Sequence, residues 1–323
     1  MTEQIVLVPA PPDDFLLQAC GRFRLLRLWE EADPDRYLAD HGGEVVAVAN
    51  PGHSPVPVSL LDRLPNLELI AHVGVGYDSV DIEAAVARGV LVANASGSND
   101  NEVADTAMGL LLMAVRELGR AEQHLRAGRW ESDGPYPLTD LSLRGRTIGL
   151  LGMGRIGQAI ARRAEAFDMT VVYHTRTARD VPYRHLPTPS ALARTADVLV
   201  VAVPGGATTH HLVNADVLTE LGPDGVLINV ARGSIVDEEA LAAALADGTI
   251  HAAGLDVYEN EPHVPEELLA LDNAVLLPHV GSASVPTRRA MAELAAENLA
   301  AWFDRREVLT PVPECAGLLP GSE

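Results

Sequence analysis

Gly149-Leu150-Leu151-Gly152-Met153-Gly154-Arg155-Ile156-Gly157 is the stretch on which the fold of this chain turns. The glycines at 152, 154 and 157 directly follow an apolar run that begins near Thr147, and they open a helical pattern over Gln158–Phe167. Gly152 permits a tight turn, Gly154 lets the main chain approach a pyrophosphate, and Gly157 lets the helix pack on the strand. The anion would rest on the unpaired N–H groups at the positive end of the helix dipole. The stretch predicts a βαβ dinucleotide-binding unit, and with it a parallel sheet.

Downstream of the glycines, apolar runs at 170–173, 198–203, 225–229, 252–256 and 274–277 alternate with helical patterns. Upstream, runs at 5–8, 45–49, 67–72 and 90–93 do the same. Such alternation predicts crossover helices on parallel sheets. The fold class expected is α/β, with two Rossmann-like, doubly wound parallel-sheet domains. The cap-like run Asn99-Asp100-Asn101-Glu102 predicts a helix reaching about Leu125, apolar on more than one face near Met108–Val115. A Gly-, Pro- and Trp-containing loop over Gly128–Leu143 follows. Helix and loop together read as a dimerisation arm, with an intramolecular surface loop as the alternative. An alanine-rich amphipathic helix is expected over Pro286–Asp304, returning to the first domain.

Composition bounds the function. The chain has 323 residues, enough for two domains, and is 47% hydrophobic. A formal charge of −21 argues against nucleic-acid binding. It also makes any arginine near a site conspicuous, because an anionic substrate must be drawn in against the field of the whole chain. All 24 basic residues are arginine, so Schiff-base lysine chemistry and a P-loop are excluded. Cys20 and Cys315 have no metal or redox spacing and fit a reducing cytoplasm. The start of the chain reads as a first strand, and no apolar run has the length of a membrane helix. A cytoplasmic protein without membrane contact and without a metal is expected.

The strand after the glycine turn ends in Tyr173-His174-Thr175-Arg176-Thr177, with no acidic residue before Asp180. An acid there would hold the ribose 2′-hydroxyl of NAD, whereas Arg176 and Thr175 suit a 2′-phosphate. NADPH is therefore the expected cofactor, with NADH as the alternative. Three further groups follow apolar strands, at the edge where such sheets bind ligands: Arg232, Glu261 and His279. His279 suits a proton donor to a carbonyl oxygen. Glu261 would bond the other imidazole nitrogen, fix the ring and raise its pKa. Arg232 would engage keto oxygen and carboxylate together. Each residue alone has a structural reading. In this order they suit hydride transfer to a 2-oxo acid.

These residues, with the runs His72–Asp78, Gly149–Gly157, Asn229–Gly233, Gly254–Val257 and Pro278–Ser282, resemble the D-isomer-specific 2-hydroxyacid dehydrogenase family, of the glyoxylate/hydroxypyruvate reductase type. The resemblance covers nearly the whole length. It implies a catalytic set of Arg232, Glu261 and His279, and a substrate carboxylate held by the amides of Val75 and Gly76. It implies pyrophosphate contacts at Arg155 and Ile156, with His174, Thr175 and Arg176 at the adenosine ribose. Val203 and Pro204 would wall the adenine, and Thr209, Val230, Asp256 and Gly281 would make further cofactor contacts, Asp256 at the carboxamide. The family fold implies a smaller, discontinuous, flavodoxin-like substrate domain (1–98 and 287–323). A dinucleotide domain (99–286) would carry the arm over about 99–145, with the site in the cleft and a homodimer built through the arm. Reduction of glyoxylate or hydroxypyruvate is the expected activity, with phosphoglycerate dehydrogenase-like or 2-ketogluconate reductase activity as alternatives. A cofactor-sensing co-repressor is the reading from another class. His53 and Trp130 are left as candidates for the substrate pocket or for plain surface residues.

Overall fold

The structure, a computed structural model, describes residues 4–52 and 54–319, so His53 lies outside the described residues. The chain forms two compact units, one from residues 1–99 with 284–323 and the other from 100–283.

The first unit holds a five-stranded sheet of β1 (Ile5–Val8), β2 (Arg24–Arg27), β3 (Ala47–Asn50), β4 (Leu69–His72) and β5 (Leu91–Ala93), in the order β2-β1-β3-β4-β5. All its strand pairs are parallel. This is the flavodoxin-like order expected of the smaller domain. β2 was not anticipated. Its residues Arg24-Leu25-Leu26-Arg27 put charge at both ends of an edge strand, which conceals the apolar signal. The helix Val285–Arg305 belongs to this unit, and its Met291, Ala292, Ala295 and Leu299 join the core of the five-stranded sheet.

The second unit holds β6 (Thr147–Leu151), β7 (Thr170–His174), β8 (Arg184–His185), β9 (Val198–Val201), β10 (Val226–Asn229), β11 (Ala252–Leu255) and β12 (Ala274–Leu276). The sheet order is β12-β11-β10-β9-β6-β7-β8 and all pairs are parallel. Side chains alternate between two cores: Ile148, Leu150, Val198 and Val200 face one, while Leu151, Leu199, Val201 and Leu227 face the other. Helices cover both faces, as an all-parallel sheet requires. Gly149 lies against one of them, since a Cβ there would come within 2.8 Å of the Ala196 methyl.

The helix expected to reach Leu125 stops earlier. It runs Asp100–Arg116, breaks at Glu117, and resumes as Leu118–Arg126 and Arg129–Ser132. Glu117 has a left-handed φ of 48°, which apolar periodicity gives no means of foreseeing. The Glu117 carboxylate offsets the cost by accepting from Arg120 Nη1 at 3.1 Å and from the Tyr136 hydroxyl at 2.5 Å, which closes the segment on itself. Leu118, Leu125, Trp130 and Leu138 along it are exposed.

Candidate active site

Three neighbouring strands, β10, β11 and β12, end in the loops that carry Arg232, Glu261 and His279. His279 Nδ1 lies 2.7 Å from Glu261 Oε2. Glu261 Oε1 accepts from the Tyr258 N–H at 3.0 Å, so both carboxylate oxygens are committed and the acid cannot turn away from the ring. A carboxylate only accepts, which fixes the proton on Nδ1 and leaves Nε2 as the nitrogen available to a substrate.

His279 has a left-handed φ of 53°, and its turn is held from below. Asp256, almost wholly buried, accepts from the amides of Val280 and Gly281, each at 2.7 Å. Burial pushes the Asp256 carboxyl up and the two amides pull it back. Gly281 leaves the space this needs, because a Cβ would come within 2.8 Å of Asp256 Oδ2. Tyr258 adds a second tie by donating from its hydroxyl to the Leu277 carbonyl at 3.1 Å, and burial pushes this phenol up to about 12.

The Arg232 turn is locked in the same way. Buried Asn229 donates to the Arg232 carbonyl at 2.9 Å and accepts from the Ala231 N–H at 3.1 Å. At Gly233 the chain presses directly on the next loop: a Cβ would fall 1.8 Å from the Tyr258 carbonyl carbon and 2.1 Å from the Glu259 nitrogen. Glu238, also buried and raised by that burial, accepts from the Glu259 N–H at 2.8 Å. Arg232 and the Glu261–His279 pair are thus mounted on loops that share backbone contact. Asn229, Glu238 and Tyr258 were not singled out in the sequence. Of the three, only Asn229 had a visible signal, its place at the head of Asn229–Gly233.

The glycine turn fits a dinucleotide. Gly152 has φ 112°, and a Cβ would strike the Ala202 carbonyl at 2.4 Å. A Cβ on Gly157 would strike the Gly152 carbonyl oxygen at 2.3 Å. Around Gly154 nothing comes within 4 Å of a Cβ, so the main chain there is open to a ligand. Gly154 is also the N-cap of the helix Arg155–Ala166, with no side chain bonded to the first amides. Arg155 reaches Asp100 at 2.7 Å, and Ile156 packs at the margin of one core.

At the tip of β7, His174 Nδ1 lies 2.8 Å from the Leu186 carbonyl, and His185 Nε2 lies 2.8 Å from the Thr175 carbonyl. Thr175 donates to the Thr177 carbonyl at 2.7 Å, and Arg176 is exposed. Val203 and Pro204 follow β9, where the Thr209 hydroxyl closes the loop on the Pro204 carbonyl at 2.8 Å. Val230 is buried beside β10.

Val75 and Gly76 belong to the first unit, in the loop after β4. Three successive carbonyls of this loop are engaged: Gly74 accepts from the Ala95 N–H at 3.0 Å, Val75 from Asn94 Nδ2 at 2.6 Å, and Gly76 lies 2.9 Å from His72 Nε2. His72 in turn meets Asn50 Nδ2 at 3.2 Å through Nδ1. Asn50 can only donate from that nitrogen, so the imidazole proton is on Nε2 and points at Gly76. No role was read in the sequence for His72, Asn50 or Asn94, although His72 heads the run His72–Asp78. Trp130 is exposed on the segment after Glu117.

Comparison with known proteins shows the family of the chain. The family described as D-isomer specific 2-hydroxyacid dehydrogenase, NAD binding domain, matches residues 108–281. The chain belongs to the D-isomer specific 2-hydroxyacid dehydrogenase family. Among members of that family it is 44% identical over 309 residues to glyoxylate/hydroxypyruvate reductase A of Arabidopsis thaliana, covering 95% of this chain and 98% of that one. It is 43% identical over 262 residues to 2-ketogluconate reductase of Gluconobacter oxydans, covering 81% and 84%. The crystal structure of an NADPH-dependent glyoxylate/hydroxypyruvate reductase from Sinorhizobium meliloti, in complex with NADP and malonate, superposes with a TM-score of 0.92. Sequence identity to it is 52%, with 97% of this chain and 98% of that one covered. No described helix is long and apolar enough to cross a membrane.

Proposed function

We propose that this dehydrogenase reduces glyoxylate and hydroxypyruvate to the D-2-hydroxy acids, with NADPH as the favoured reductant and NADH as the weaker one. The observation that carries the reading is the 2.7 Å pair of His279 and Glu261, mounted on loops in backbone contact with the Arg232 turn. Gly152, Gly154 and Gly157 would hold the pyrophosphate, and Arg176 with Thr175 the 2′-phosphate. Bound there, NADPH supplies the hydride.

The chain's own groups do the rest. His279 donates a proton from Nε2 to the substrate oxygen, while Glu261 keeps Nδ1 protonated and the ring oriented. The imidazolium formed in the reverse direction is stabilised by the same carboxylate. Arg232 balances negative charge as it builds on the oxygen and anchors the carboxylate. The amides of Val75 and Gly76, in a loop whose carbonyls at those positions are engaged by Asn94 and His72, would take that carboxylate. Asp256 and Gly281 support the His279 turn and offer the carboxamide its contact. No metal enters this chemistry.

The exposed Leu118, Leu125, Trp130 and Leu138 make the segment after Glu117 the face for a second copy, giving a homodimer. The buried, unpaired Cys20 and Cys315 are in keeping with a cytoplasmic setting. The deciding assay is a panel of 2-oxo acids, 2-ketogluconate among them, run with each reduced nicotinamide. Glyoxylate and hydroxypyruvate turnover with NADPH is expected. His279→Ala should lower kcat by about 100-fold or more while NADPH still quenches the protein fluorescence. Turnover retained in that variant would refute the assignment.

A further inference from the structure

Among the described residues outside the reacting ones, one side-chain cluster has the composition of a metal site. His210 and His211 follow the loop closed by Thr209, and their rings stack with centroids 3.9 Å apart and planes 23° apart. Both present Nε2 to one carboxylate: His210 at 3.3 Å and His211 at 3.2 Å from Glu259 Oε1. The three ligand atoms lie within 4.8 Å of one another.

A tetrahedral zinc ion with bonds of about 2.0–2.2 Å sets its donors roughly 3.3–3.6 Å apart. The two nitrogen–oxygen edges are within about 0.1 Å of that range before any ion is considered. The donors are also held in place. The Glu259 N–H is bonded to buried Glu238 at 2.8 Å, and the His211 N–H donates to the Ser234 carbonyl at 2.9 Å. His211 adopts a left-handed φ of 48° there. Asp237 Oδ2 stands 3.9 Å from His211 Nδ1, beyond hydrogen-bond distance, and adds negative charge beside the ring. His210 is exposed and the other two are half-buried, so the fourth position faces solvent.

We propose that His210, His211 and Glu259 bind one divalent transition-metal ion, with zinc the best match to two imidazoles and a carboxylate. Water completes the coordination. The ion joins the chain after β9 to the loop after β11, two residues from Glu261. It acts as a brace for that loop and takes no part in the hydride or proton transfer.

The test uses the full chain stripped with a chelator and titrated with zinc chloride by calorimetry, then with cobalt(II) by absorbance. One zinc per chain and the visible bands of tetrahedral cobalt are expected, with a rise in Tm on zinc addition. His210→Ala removes an exposed side chain and so keeps the fold; Glu259→Gln keeps the shape but not the charge. Each should weaken zinc binding at least tenfold, since loss of an outer partner alone costs roughly 10–100-fold. Each should also abolish the cobalt bands and the gain in Tm. Zinc affinity equal in the wild type and both variants, or no binding at all, would leave only a hydrogen-bonded His–Glu cluster and overturn the proposal.

Discussion

A methyl group on Gly233 would fall 1.8 Å from the carbonyl carbon of Tyr258, a contact relieved only by moving backbone. Since the displaced loop carries Glu261, Gly233→Ala should cost stability and activity together. Overpacking of this kind costs about 1–3 kcal/mol, so a urea midpoint well below wild type is expected with kcat down by at least about tenfold. An unchanged midpoint would mean that the two loops can part freely. Glu238, which accepts from the Glu259 N–H of the same loop, makes a pH prediction. Burial raises its folded pKa above the usual carboxyl value. The folded chain therefore binds the proton more tightly than the unfolded chain, and the stability this confers is lost as pH rises through the folded value. Glu238→Gln keeps the acceptor for the Glu259 N–H and removes the ionisation. The variant should gain on wild type as pH rises above the ordinary carboxyl value of 4.5, and parallel stability curves for the two would contradict the assignment.

At the scale of elements, the tip of β7 is where the proposed choice between the two nicotinamide cofactors would be made. His174 and His185 are tied to neighbouring carbonyls, and the Tyr173 hydroxyl donates to the Arg179 carbonyl at 3.1 Å, so the tip is a fixed loop with Arg176 left at its outer edge. A charge-assisted bond to a phosphate is worth roughly 1.5–3 kcal/mol. Arg176→Ala should therefore lower kcat/KM for NADPH about 10–100-fold and leave that for NADH nearly unchanged. An equal fall for both would show the arginine to be structural. β7 was legible in the sequence because its apolar run is uninterrupted, as were β6 and β9 to β11, which are buried on both faces, and the edge strand β12, which is apolar though only partly buried. β2 and β8 were not, because edge strands carry charge and need little apolar surface; β8 is only two residues long. The site divides along the same line. Glu261 and His279 were readable from their strand-end positions, and they meet. Tyr258 and Glu238 act through contacts fixed only after the sheet forms, and no local pattern announces them; Asn229 was visible only as the head of Asn229–Gly233. The break at Glu117 was hidden for the same reason, since its partners Arg120 and Tyr136 matter only once the chain has turned.

For the molecule as a whole, the dominant quantity is the formal charge of −21. Both proposed ligands, a 2-oxo acid and NADPH, are anions, so they approach a repelling field and meet the arginines only at short range. Repulsion from the whole chain acts over the Debye length, about 30 Å at 0.01 M salt and about 8 Å at 0.15 M, whereas bonds to Arg232 and Arg176 act within a few ångströms and are screened less. Adding salt across that range should therefore weaken the repulsion more than the attraction. The expected result is a rise in kcat/KM for glyoxylate of about two- to fivefold, carried by KM and with kcat nearly constant. A neutral 2-oxo amide in place of the acid should show little of this effect, which separates long-range charge from any influence of salt on the fold. A fall in kcat/KM with salt would mean that the local arginines govern the encounter, and that the acidic surface is too distant from the path of approach to matter.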